Sequence, residues 1–96
     1  MLTGKQKRFL RSKANTLQPL FQIGKNGLTT AIIVQVEEAL EARELIKVSI
    51  LQNCDEDKNE IAEKFSEQEG IEVVQVIGNS IVLYKESVEK KRIELP

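Results

Sequence analysis

The residues best placed to do chemistry in this sequence are Gly24-Lys25-Asn26-Gly27, set between Ile23 and Leu28. Glycine accepts positive φ at little steric cost, and without a Cβ it lets another molecule's backbone come close. Thr29 and Thr30 follow, and both are N-cap types. The turn should therefore feed a helix N-terminus, where unpaired N–H groups and the positive dipole end favour a phosphate. Lys25 and Asn26 at the tip add a charge and an amide. This is chemistry for holding an anion, and the equipment for bond making is thin. The chain has no histidine, so the commonest general base and the commonest metal ligand are missing. Cys54 is the single cysteine; it cannot form an internal disulfide and has no base to activate it. Asp55, Glu56 and Asp57 could be imagined around a metal, but three acids before a helix serve its N-terminus. No catalytic residue, metal or cofactor is expected.

The formal net charge is −1 and the pI is about 5.5, values that by themselves do not suggest nucleic acid. The distribution does. The first thirty residues hold Lys5, Lys7, Arg8, Arg11, Lys13 and Lys25 and no acid, and a segregated basic surface is an electrostatic footprint for polyanions. The length of 96 residues fits one domain with one modest core. No apolar run approaches a membrane span, and the basic start is not followed by the apolar stretch of a signal peptide. A cytoplasmic, reducing location is the expectation, with no membrane partner and no small-molecule substrate.

Stepping along the chain, Thr3 to Ala14 reads as a helix with a Thr3/Gln6 capping box. Leu2, Phe9, Leu10, Ala14 and Leu17 fall on one side, and Lys5, Lys7, Arg8 and Arg11 on the other. Asn15 to Gln18 connects to a short strand, Pro19 to Ile23. Thr29 to Arg43 reads as a helix despite its β-branched first half, because good helix formers follow without a turn residue. Leu45 to Leu51 alternates as a strand, with Ile46, Val48 and Ile50 on one face and Lys47 and Ser49 breaking the other. A third helix starts near Asp57, with Glu60 as its capping-box partner and Ile61, Ala62 and Phe65 as its buried stripe. Gly70 with Ile71 suits a Schellman end. Its acidic face, Glu60, Glu63 and Glu67, reads as solvated. Ile71 to Ile77 and Ile81 to Lys85 form a hairpin across Gly78-Asn79. The order is α-β-α-β-α-β-β, an α+β chain whose four strands are most economically buried as one mixed sheet covered by helices. Residues 1–86 read as the domain and 87–96 as a short polar C-terminal extension.

Four ordered blocks carry a resemblance. They are Leu2-Thr3-Gly4-Lys5-Gln6-Lys7-Arg8, Leu20 through Leu28, Leu45-Ile46-Lys47-Val48, and Val74 through Lys85. Together they resemble the YhbY-type CRM-domain family of small bacterial RNA-binding proteins. The resemblance implies a two-layer α/β sandwich similar to the C-terminal domain of translation initiation factor three. It implies association with precursors of the large ribosomal subunit, and it makes Gly24 to Gly27 the family's Gly-x-x-Gly motif. The family often has histidines where this chain has Asn15 and Arg43.

The expected function is therefore non-catalytic RNA binding, to large-subunit rRNA or a pre-ribosomal particle, by a monomer. The expected contacts are Lys5, Lys7, Arg8 and Arg11 on the first helix and Gly24, Lys25, Asn26 and Gly27 in the loop. Phe9, Phe21 and Phe65 read as core, so recognition should lean on backbone and shape. The alternative is a protein-interaction adaptor working through the acidic helix or the sheet.

Overall fold

The computed structural model describes residues 2–96. Helix α1, Gly4–Ala14, starts at the expected capping box: the Gln6 amide donates to Thr3 Oγ1 at 3.1 Å, and the Thr3 amide donates to Gln6 Oε1 at 3.0 Å. Strand β1 is only Phe21–Ile23. Pro19 and Leu20 stand outside it, although the Leu20 amide still donates to Lys47 O at 2.8 Å. Then come α2, Thr30–Arg43, β2, Leu45–Ile50, α3, Lys58–Ser66, β3, Glu72–Ile77, and β4, Ser80–Tyr84. The sheet order is β1-β2-β4-β3. β1 runs parallel to β2, and the other neighbours are antiparallel. The mixed four-stranded sheet is the expected one.

Strand alternation sends two apolar sets to opposite faces. Ile46 and Val48 of β2 and Ile81 and Leu83 of β4 meet Val36 and Leu40 of α2 and Ile61 and Phe65 of α3. Phe65 is fully buried, and burial of a side chain that size contributes roughly 2–3 kcal/mol. This sheet with α2 and α3 is the expected sandwich. On the other face, Leu45, Val74, Val82 and Tyr84 meet Leu10 and Ala14 of α1 and Ile93 from the C-terminal segment. A bulge between Val73 and Gln75 shifts the register there.

Some local expectations differ. Asp57 is the N-cap of α3 by position, but its side chain makes no capping hydrogen bond, so the Asp57/Glu60 box does not form. The helix ends with Glu67 as its C-cap. Gly70 has the left-handed φ of 83° but lies beyond that cap, in the turn that delivers buried Ile71 to β3. The hairpin turn has positive φ at Gly78 alone, the pattern of a type II′ turn.

Residues 87–96 contain no helix or strand, yet they are held closely. Glu44 caps α2 in a left-handed conformation, φ 65°, with its side chain buried. Its carboxylate accepts the amides of Ser87 at 2.9 Å, of Ile93 at 2.7 Å and of Arg92. Glu41 accepts Ser87 Oγ at 2.6 Å and the amides of Val88 and Glu89. Two carboxylates thus satisfy the backbone donors of a segment that has no ladder of its own.

Candidate nucleic-acid interface

Gly27 and Gly24 do different jobs in the loop. Gly27 has φ 68°, and its amide closes the turn on Gly24 O at 2.9 Å. A Cβ there would also crowd the Glu56 carboxylate and make it move, but it is the left-handed φ that calls for glycine. Gly24 needs no left-handed φ, and a Cβ on it would meet only Leu51 at 3.7 Å and Asn53 at 3.9 Å, ordinary contacts. The expectation that both glycines serve the turn holds for Gly27 alone.

Glu56 explains what became of the acidic cluster. Its Oε1 accepts the Leu28 amide at 2.7 Å, and its Oε2 pairs with Lys64 Nζ. The hydrogen bond from Lys64 and that from Leu28 hold its carboxyl below the ordinary carboxylate value. Thr29 is the N-cap of α2 and accepts the Ile32 amide at 3.2 Å. The loop's exit is therefore tied internally, and its free edge is the exposed tip, Lys25 and Asn26.

On α1, Lys5, Lys7 and Arg8 are exposed and Arg11 is half-buried. Arg8 and Arg11 line an open groove with Asn15, Lys47, Gln75 and Ile77. Lys47 and Gln75 both register on Val82 of β4. The next row is Ser49, Ser80 and Ile77, and Gln22 of β1 lies beside Ser49. This polar strip of sheet runs from α1 toward the end of β1, where the loop begins. From Lys47 to Ile50 the strand rises about 10 Å. The fold thus joins Arg8 and Arg11 to one end of the strip and places Lys25 and Asn26 at the other. Lys5 and Lys7 are displayed farther toward the start of α1. Sequence alone does not mark out Lys47, Gln75 and Gln22 as members of this strip. Their signal was the polar half of the strand alternation, which reads equally well as plain solvent exposure.

Other candidates for chemistry are accounted for structurally. Among the described residues, no three His, Cys, Asp or Glu side chains come together to hold a metal ion. Cys54 Sγ donates to Glu56 O at 3.7 Å. Tyr84 is buried in the α1-side cluster, and that burial pushes its hydroxyl up from the ordinary tyrosine value. Among the described residues no helix is long and apolar enough to cross a membrane.

The sequence model of the CRS1 / YhbY (CRM) domain matches residues 2–85. The protein named "Probable RNA-binding protein YqeI" from Bacillus subtilis is 66% identical over 96 residues, covering 100% of both chains. A Haemophilus influenzae protein named "RNA-binding protein" is 40% identical over 95 residues, 99% of this chain and 95% of that one. The solution structure of SAV1595 from Staphylococcus aureus superposes with a TM-score of 0.82 at 58% identity, covering 100% of both chains. With the family model spanning nearly the whole chain and these relatives matching end to end, the chain belongs to the CRS1 / YhbY (CRM) domain family.

Proposed function

We propose that this chain is a non-catalytic RNA-binding protein that grips an RNA backbone between the Gly24–Gly27 loop and the basic face of α1. We further propose that it acts on large-subunit rRNA within pre-ribosomal particles, as a cytoplasmic monomer. The observation that carries the reading is the part-exposed strip of sheet through Lys47, Gln75, Ser49 and Gln22, with Arg8 and Arg11 at one end and the exposed Lys25-Asn26 tip at the other. Relatives named as RNA-binding proteins support the choice of RNA as the polyanion. The cations make salt-dependent backbone contacts, which position the protein without reading sequence. A protein of this kind changes RNA by stabilising one conformation over another.

The assembly role is tested by sedimentation. Tagged wild-type chain in a cell lysate should travel with large-subunit precursors on a sucrose gradient, and Arg8→Gln with Arg11→Gln should stay at the top. Wild-type chain that stays at the top, or follows mature ribosomes alone, contradicts the proposed role.

A further inference from the structure

A second groove of about 800 Å3 lies at the opposite end of β2 from the loop, where the C-terminal ends of α1 and α2 meet the C-terminal segment. Lys13 of α1, Arg43 of α2 and Arg92 of the segment line it, together with Leu17, Leu45 and Ile93. The three cations are exposed, whereas Leu45 and Ile93 are buried and Leu17 is half-buried. Lys13 Nζ is set 5.3 Å over the Phe9 ring. Among the described residues no ion pair joins Lys13, Arg43 or Arg92 to a carboxylate. The nearby acids are engaged elsewhere: Glu44 and Glu41 take the donors of the segment.

A helix C-terminus favours a cation, which alone would account for Lys13 and Arg43 in the last turns of their helices. It does not account for Arg92, which belongs to no helix. Arg92 is fixed here because its own amide and that of Ile93 donate to the buried Glu44 carboxylate. Glu44 is thus a positioning residue for the third wall of the groove. Three cations around an apolar floor match a nucleotide better than a bare anion: the phosphate meets the cations, and the base lies on the apolar side chains.

We propose that this groove is a second RNA contact that takes one unpaired nucleotide, with its phosphate among Lys13, Arg43 and Arg92 and its base against Leu17, Leu45 and Ile93. The proposal rests on the RNA-binding reading above and adds a contact separate from the loop. The two contacts lie at opposite ends of β2, Leu45–Ile50, about 17 Å apart along the strand.

The test is an NMR titration of the full chain with an eight-nucleotide single-stranded RNA, following the Leu17, Leu45 and Ile93 methyl groups and the Lys25 and Gly27 amides together. Wild type should show shifts at both places. Arg43→Gln with Arg92→Gln should lose the methyl shifts and bind at least about five-fold more weakly at 0.1 M salt, for one phosphate contact removed. Both arginine side chains are exposed, so the amide spectrum of the free variant should stay close to that of wild type. Loop shifts without methyl shifts overturn this proposal and leave the loop reading intact. Methyl shifts without loop shifts support it and count against the loop. Shifts at neither place overturn both. If inorganic phosphate alone reproduces the methyl shifts, the nucleotide assignment falls.

Discussion

Helix α1 carries Lys5, Lys7, Arg8, Arg11 and Lys13 and no acid, whereas α3 turns Glu60 and Glu63 to solvent, with Glu67 at its C-cap. Both pack an apolar stripe against the sheet, on opposite faces. They differ in what their cations touch. Lys58 of α3 donates to Gly78 O at 2.8 Å, and Lys64 pairs with Glu56 beneath the loop. Among the described residues, Lys5, Lys7, Arg8 and Arg11 have no carboxylate partner. Cations in the first turns of a helix cost a few tenths of a kcal/mol each against the dipole, and like charges four apart add a similar amount. The two lysines of α3 are tied to other parts of the protein. The early cations of α1, Lys5, Lys7 and Arg8, are mildly unfavourable to it, which fits a partner outside the chain.

That contrast can be broken or sharpened by substitution. The largest effect should come from Arg8→Glu with Arg11→Glu. Reversing two backbone contacts should lower RNA affinity roughly 100-fold at 0.1 M salt, read by fluorescence anisotropy, with the melting temperature little changed. Equal loss of folding would put α1 in the same class as α3.

The two glycines separate structure from function within the loop. Gly27→Ala should destabilise the fold by about 1 kcal/mol or more, from its left-handed φ and the contact with Glu56, in a urea titration. Gly24→Ala should stay within about 0.5 kcal/mol, so any loss of RNA binding it shows belongs to the interface. Glu56→Gln should lower the melting temperature by at most about 4 °C at pH 7, because a partly exposed ion pair contributes little. The carboxyl of Glu56 lies below its ordinary value when folded. Its contribution is therefore complete above the unfolded value and is lost as pH falls through the folded one. The difference between wild type and Glu56→Gln should close over that acid range. A constant difference would mean that charge is not what ties the loop. The smallest effect should be that of Glu63→Lys on α3, which should leave RNA affinity unchanged or raise it slightly. A clear loss would favour the acidic face as an interface.

The elements and the sheet could be read from local pattern because each rule is local. Thr3 and Gln6 lie within one turn of each other, Gly78-Asn79 closes a two-residue hairpin, and Ile46, Val48 and Ile50 alternate. The missed features depend on partners far away in the chain. Glu44 meets Ser87 and Ile93 across more than forty residues, and Glu56 meets Leu28 across twenty-eight. No spacing rule foretells that a glutamate after a helix will bury itself under a C-terminal segment. Asp57 and Glu60 failed in the other direction: the local signature is present, but the side chain does not close the cap. In the proposed interface, α1 and the loop are legible as charge and glycine patterns. Lys47 and Gln75 are not, because only the packing of α1 across the sheet brings Lys47 beside Arg8 and Arg11.

The most direct test is a salt series of binding to large-subunit rRNA fragments, comparing wild type with Lys25→Asp plus Asn26→Asp. Those changes leave both glycines and the Glu56 contacts in place but set two negative charges at the tip. For about five phosphate contacts, the wild-type log–log slope should lie between roughly −3.5 for single strands and −4.5 for a duplex. The variant should lose affinity at least about ten-fold and show a shallower slope, with an unchanged circular dichroism spectrum. A wild-type slope near zero, or a variant that binds as wild type does, would contradict the account.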